Sequence, residues 1–133
     1  MVSQFGDVVP SPGLFTGTPS AGQPEILYSQ SAAEFHGGPL KPGQGVLRWG
    51  TAVAYKDGFY VKATTPAEVV GFLRYGVDTG SSATEHGRQG QFVMGGVLKA
   101  ATLLVADNPV TDKAALATAL GGMYNTANDS IRF

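Results

Sequence analysis

Pro10, Pro12, Pro19, Pro24, Pro39 and Pro42 all fall within the first forty-two residues, and they forbid helix across most of that stretch. Each ring fixes φ, removes an amide donor and pushes the preceding residue toward extended geometry. Only three charged side chains, Asp7, Glu25 and Glu34, occur before Lys41, and none of them is basic. Disordered tails combine low hydrophobicity with high charge, and this stretch shows neither. Its larger apolar residues include Phe5, Val8, Val9, Leu14, Phe15, Ile26, Leu27, Tyr28 and Phe35. The pattern predicts an extended arm over residues 1–44. Phe5, Leu14, Phe15, Ile26, Leu27 and Tyr28 are its expected anchors on another surface. Ordering a backbone costs roughly 1–2 kcal/mol per residue, more than nine scattered side chains return, so further contacts must come from the protein's own body or a neighbouring subunit. An extended backbone with unpaired groups suits strand addition at a sheet edge.

The remainder of the chain, residues 45–133, has the size of one small domain. Nineteen Gly, with Val, Phe and Tyr in short runs, favour strands and turns over helix. The absence of Cys excludes a disulfide scaffold, a thiolate metal site and a Cys nucleophile. A net charge of −1, with Lys56, Lys62, Arg74, Arg88 and Lys99 scattered singly, offers no clustered basic field for nucleic acid. No run of eighteen apolar residues occurs and no basic segment leads into an apolar one at the start, so we expect no membrane span, no signal peptide and synthesis in a cytoplasm.

Ala52-Val53-Ala54-Tyr55-Lys56 and Phe59-Tyr60-Val61-Lys62-Ala63 flank Asp57-Gly58, which suits a type I′ hairpin because both turn residues need positive φ. A two-residue turn sets Tyr55 opposite Tyr60, Val53 opposite Lys62, Ala54 opposite Val61 and Lys56 opposite Phe59. Neither face is cleanly polar. Gly45 to Gly50 is expected to begin the first strand, with Trp49 as a core or interface anchor. Val69 to Val77 reads as a central strand in which Gly71 marks a bulge or close backbone approach. The polar stretch from Asp78 to Gly90 reads as an exposed loop. Gln91 to Met94 restarts a strand that turns at Gly95-Gly96, and Val97 to Val105 is a further strand, or a helix, that periodicity does not separate. Thr111 to Leu120 is a helix, capped by Thr or Asp and closed by Gly121-Gly122. Ile131-Arg132-Phe133 is a candidate last strand. Together these features predict a mainly β fold, a small β-sandwich, jelly-roll or barrel-like domain with an extended N-terminal arm and one short C-terminal helix.

No constellation points to catalysis or to a cofactor. His36 and His86 each lie near a Glu, but adjacent residues on an extended chain point opposite ways, and the pair lacks metal-ligand spacing. Ser29, Ser31, Ser81 and Ser82 sit in no nucleophile elbow. Asp107, Asp112 and Asp129 lack the ligand alternation of a calcium loop and read as cap and turn residues. Gly37-Gly38, Gly95-Gly96 and Gly121-Gly122 lack a following Lys-Ser/Thr and read as turns. Aromatics beside basic residues at Arg48-Trp49, Lys56 to Tyr60 and Arg74-Tyr75 read as core rings with solvated neighbours, since no net positive charge supports base stacking.

The order of these features resembles that of tailed-phage structural cement, or capsid decoration, proteins. The likeness lies in the Pro/Gly-rich arm from Phe5-Gly6-Asp7 through Pro12-Gly13 to Gln23-Pro24-Glu25-Ile26-Leu27, in Gly45-Val46-Leu47-Arg48-Trp49-Gly50-Thr51-Ala52-Val53, in Val70-Gly71-Phe72-Leu73-Arg74-Tyr75, and in the Gly-rich segment from Gln91 to Val105. It spans about 105 residues as a pattern without an invariant motif, and the helix at Thr111 to Leu120 departs from an all-β C-terminal part. The resemblance implies a non-enzymatic virion protein, without cofactor or metal, on the capsid exterior. Its partners would be the major capsid protein and its own copies as a homodimer or homotrimer, with no direct contact to nucleic acid or membrane. On that reading the Asp57-Gly58 hairpin and the loop from Thr79 to Gly90 are exposed, and deleting residues 1–28 abolishes capsid binding while leaving the body folded. Competing readings are a glycan-binding β-sandwich using Tyr55, Tyr60 or Trp49, a head-completion or tail-tube protein, and an enzyme in which Glu34, His36, Glu85 or His86 converge.

Overall fold

A computed structural model describes residues 25–84 and 87–133. The Asp57-Gly58 turn forms as its residue types require, with φ of 53° and 86°, and it joins β3 (Ala52–Lys56) to β4 (Phe59–Lys62) in the register expected. β3 also pairs antiparallel with β5 (Gly71–Leu73), and β5 pairs with the long β7 (Arg88–Lys99). β1 (Leu27–Leu40) runs antiparallel along β7 and touches β4 in parallel at Leu40 and Tyr60. The order β1-β4-β3-β5-β7 thus returns to β1, and the sheet closes into a five-stranded barrel. The expected mainly β architecture takes the barrel form.

Each ring strand sends a side chain into a shared cluster, Leu40, Tyr60, Val53, Leu73 and Phe92, and β7 adds Met94. Leu47 of β2 (Val46–Leu47) and Val77 of β6 (Val77–Asp78), a short antiparallel pair, complete it. The rings of Tyr60 and Phe92 lie 4.3 Å apart, which needs space on the facing strands. Gly38 and Gly90 provide it, because a Cβ at Gly38 would meet the Tyr60 ring and one at Gly90 would come within 2.7 Å of Phe92 Cζ.

Alternate residues of the same strands, Ala52, Ala54, Phe72 and Val93, face a second core outside the barrel. That core is covered by Ile26, Leu27, Leu103, Leu116 and Ala117 of α1 (Lys113–Ala119), and Ile131 of β11 (Ser130–Arg132). Two short antiparallel pairings frame it, β8 (Leu104–Val105) with β9 (Asn108–Pro109) and β10 (Met123–Asn125) with β11. Helix α1 starts where Asp112 Oδ1 accepts from the Ala115 amide at 3.0 Å and stops at Gly121, whose φ is 75°. β3, β5 and β7 are therefore buried on both faces at Ala52 to Ala54, Phe72-Leu73 and Phe92-Val93, which accounts for the apolar base of the hairpin, while its tip from Tyr55 to Phe59 is exposed.

Several expectations need correction. The segment from Leu27 to Leu40, assigned to the arm, is a full strand of the barrel, because its amides pair with β7 from Leu98 to Arg88. It is the first strand, and the Gly45 to Gly50 segment supplies only the two residues of β2. Val69 to Val77 gives two short strands, because the chain bends at Arg74-Tyr75 between the end of β5 at Leu73 and the start of β6 at Val77. Gly71 does mark a close approach, since a Cβ there would lie 2.8 Å from Val93 O. Gly37-Gly38 and Gly95-Gly96 are not turns but lie inside β1 and β7. At Gly95-Gly96 the strand instead changes partners, pairing with β5 at Phe92 and Val93 and with β11 from Val97 to Lys99. Here β1 bulges, Ser29 to Glu34 facing Val97 to Gly95, and Gly96 takes a φ of 129° beside Ala33. β7 ends at Lys99, and a 3₁₀ turn over Ala100–Thr102 separates it from β8, so Val97 to Val105 is neither one strand nor a helix. In the loop from Thr79 to Gly90, Thr79 and Gly90 are buried. The Thr79 hydroxyl donates to Gly45 O at 2.7 Å and accepts from the Gln44 amide at 2.8 Å.

Candidate functional site

The six expected arm anchors separate into three groups. Phe5, Leu14 and Phe15 lie outside the described residues. Ile26 and Leu27 are 0% and 4% exposed in the outer core, so they anchor the chain to its own body. Tyr28 is half exposed, as strand alternation requires for the residue after a buried one.

The chain enters the barrel through a clasp. Arg74 donates to both Glu25 oxygens, at 2.7 and 3.3 Å, while Glu25 Oε2 accepts from the amides of Ile26 and Leu27 at 3.0 and 3.4 Å. The guanidinium carbon lies over the rings of Phe35 and Tyr75, 4.6 and 5.1 Å from their centroids. Partial burial pushes the Glu25 carboxyl up, but the Arg74 hydrogen bond and charge, together with the two amides, outweigh it and hold the group below the usual carboxylate range. A carboxyl whose pKa falls on folding contributes stability that is fully present above its unfolded value and is lost as pH drops through the folded one. Glu25→Gln is therefore expected to lower stability by about 1 kcal/mol at neutral pH. The difference from the parent protein should shrink in thermal melts as pH falls below the ordinary carboxylate range, where the unfolded-state carboxyl protonates first and that of the folded protein afterwards. An equal difference at pH 3 and pH 7 would assign the contribution to packing alone.

Beside this clasp lies a groove of about 770 Å³. Tyr28, Ser29 and Ala32 form one wall, Gly96 and Val97 the floor, and the β10–β11 hairpin the other wall through Met123, Asn125, Asn128, Ser130, Arg132 and Phe133. Met123 is 69% exposed and Tyr28 49%, so the rim carries two large apolar groups. The Asn125 and Asn128 carboxamide oxygens are taken by the Ala127 amide and the Ser130 hydroxyl, at 2.9 and 2.6 Å, which leaves their NH₂ groups as donors. Asp129 fixes the hairpin to α1, accepting from Lys113 Nζ at 2.8 Å and from the Tyr124 hydroxyl at 2.6 Å. The Lys113 hydrogen bond and then that of Tyr124 hold its carboxyl below its ordinary value. This wall was not singled out from sequence, although exposed Met123 and Asn125 alternating with half-buried Tyr124 carry the period of a one-sided strand.

Among the described residues the other candidates do not assemble into a site. Tyr60 is packed in the barrel and Trp49 against the outer core beside Arg48, leaving only Tyr55 of the three aromatics well exposed. Glu34 and His36, which lie two residues apart and so share a side of β1, do pair at 3.0 Å, but both are open to solvent. Glu85 and His86 lie outside the described residues. Among the described residues no group of three His, Asp or Glu could hold a metal, and no helix is long and apolar enough to cross a membrane. Comparison of the chain with protein-family models, with curated proteins and with solved structures gives no significant match.

Proposed function

We propose that this protein is a structural component of a virion that binds the outer surface of a tailed-phage capsid and bridges its major capsid subunits. The reading rests on the pattern of the arm and of the strands C-terminal to it. The observation that carries it is the clasp at Glu25 and Arg74, which fixes the root of a Pro-rich, apolar segment to a barrel filled on both sides of its sheet. A rigid body carrying such a segment can reach across a boundary between subunits. Many copies that bind only the assembled shell then stabilise it by mass action. Tyr28, exposed beside the clasp, is the described anchor best placed to contribute, while Phe5, Leu14 and Phe15 are the corresponding anchors in the preceding segment. Copies act together as a homodimer or homotrimer.

The test is co-sedimentation of the purified protein with shells assembled from the major capsid protein of its virus. Saturable binding at a ratio commensurate with the lattice, and a raised melting temperature of the shell, are expected. Absence of binding to both immature and expanded shells would refute a role on the capsid exterior.

A further inference from the structure

We infer that in the free protein the groove between Tyr28 and the β10–β11 hairpin holds the chain's own N-terminal segment, with residues 5–15 as the occupant. The groove needs a partner that is extended, apolar and weakly anionic. Its rim is formed by Tyr28 and Met123, and β10 is an edge strand paired on one side with β11. Arg132 in the wall has no ion-pair partner among the described residues, and the Asn125 and Asn128 NH₂ groups are positioned to donate to backbone carbonyls.

Residues 1–24 meet these requirements. Phe5, Val8, Val9, Leu14 and Phe15 are apolar, and Asp7 is the single charged side chain, opposite in sign to Arg132. Pro10 and Pro12 are compatible with an outermost strand, where a missing amide leaves no ladder bond unmade. The segment is also attached at the site, since Glu25 lies three residues before Tyr28. Twenty-four residues can span about 80 Å when fully extended, ample to fold back along the groove. A short tether holds such a segment at roughly millimolar effective concentration, above what a second molecule supplies in dilute solution, which favours the intramolecular occupant. Occupancy of the groove in the free protein stands or falls independently of shell binding.

The full chain contains no Cys, so Thr16→Cys combined with Thr126→Cys beside Asn125 permits one disulfide within a molecule. Mild oxidation without shells should give a cross-linked monomer. Met123→Asp, at a position 69% exposed and therefore expected to leave melting unchanged, should slow the cross-link about tenfold by placing a charge on the apolar rim. A rate unaffected by Met123→Asp would mean that the segment is merely tethered nearby and would overturn the inference. So would the absence of any cross-link, or disulfide-linked dimers alone, which would place a second copy in the groove.

Discussion

Removing residues 1–28 is expected to unfold the barrel, whereas removing residues 1–24 should move its melting temperature by only a few degrees. The longer deletion takes away Ile26 and Leu27, both buried in the outer core, and with them the Lys99 amide bond to Ile26 O at 2.8 Å and the pairing of Leu27 with Leu98. Losing a large aliphatic side chain from a packed core costs about 2–5 kcal/mol, so the two together approach the whole stability of a small domain, about 5–15 kcal/mol. Circular dichroism melts of the two truncations make the comparison. A cooperative melt of the longer deletion at the temperature of the full chain would show that β1 does not begin where the core places it. The result also governs any test of shell binding. The deletion of residues 1–28 expected from sequence to spare the body confounds unfolding with loss of the arm, and the cut after Pro24 separates them.

Gly50→Ala should cost at least about 3 kcal/mol, from a left-handed backbone and a steric clash acting together. Gly50 has a φ of 82°, and a Cβ built there would overlap the carbonyl oxygen of Thr102. Relief by rotating a side chain is impossible, because the obstacle is backbone. Moving that backbone would disturb the two bonds that tie Gly50 between layers, from its amide to Leu73 O at 2.7 Å and from the Leu104 amide to its carbonyl at 2.9 Å. Chemical denaturation is the measurement, and a midpoint within error of the parent protein would show that the chain from Arg48 to Thr51 relaxes freely. At Gly58, where φ is 86° but no atom lies within 4 Å, the same substitution should cost only about 1 kcal/mol.

The hairpin register was legible because Asp57-Gly58 allows few turn geometries, and helix α1 because a cap and a positive-φ glycine bracket it. Both signals are local. β1 was hidden because its partner lies some sixty residues away, and its glycines resemble punctuation. Gly37-Gly38 and Gly95-Gly96 owe their composition to what crosses them in space, the Tyr60 ring in one case and the β1 bulge at Ala33 in the other. The two-sided burial did leave a trace, since Phe72-Leu73 and Phe92-Val93 are adjacent apolar pairs that a half-solvated strand would not place together. Of the groove, only Tyr28 stood out in the sequence as a contact residue. Met123 and Arg132 face it because β11 joins β7 at Val97 to Lys99, a long-range pairing that no short window reports.

The burial of β7 on both faces alters what protects its alignment. In a strand with one wet face, a slip by a single residue is opposed at once, since it would turn greasy groups outward and soluble ones inward. Here such a slip would exchange Phe92 and Val93 between two dry compartments, an error almost invisible to hydrophobicity. At these two positions volume opposes it, since a phenyl ring would meet the space shaped for an isopropyl group and the gaps at Gly90 and Gly96 would fall under the wrong neighbours, while polarity acts through the exposed Gln91 and Lys99 on either side. At Phe92 and Val93 correct assembly is thus decided by shape, and the weak points there are substitutions that keep oiliness while changing size.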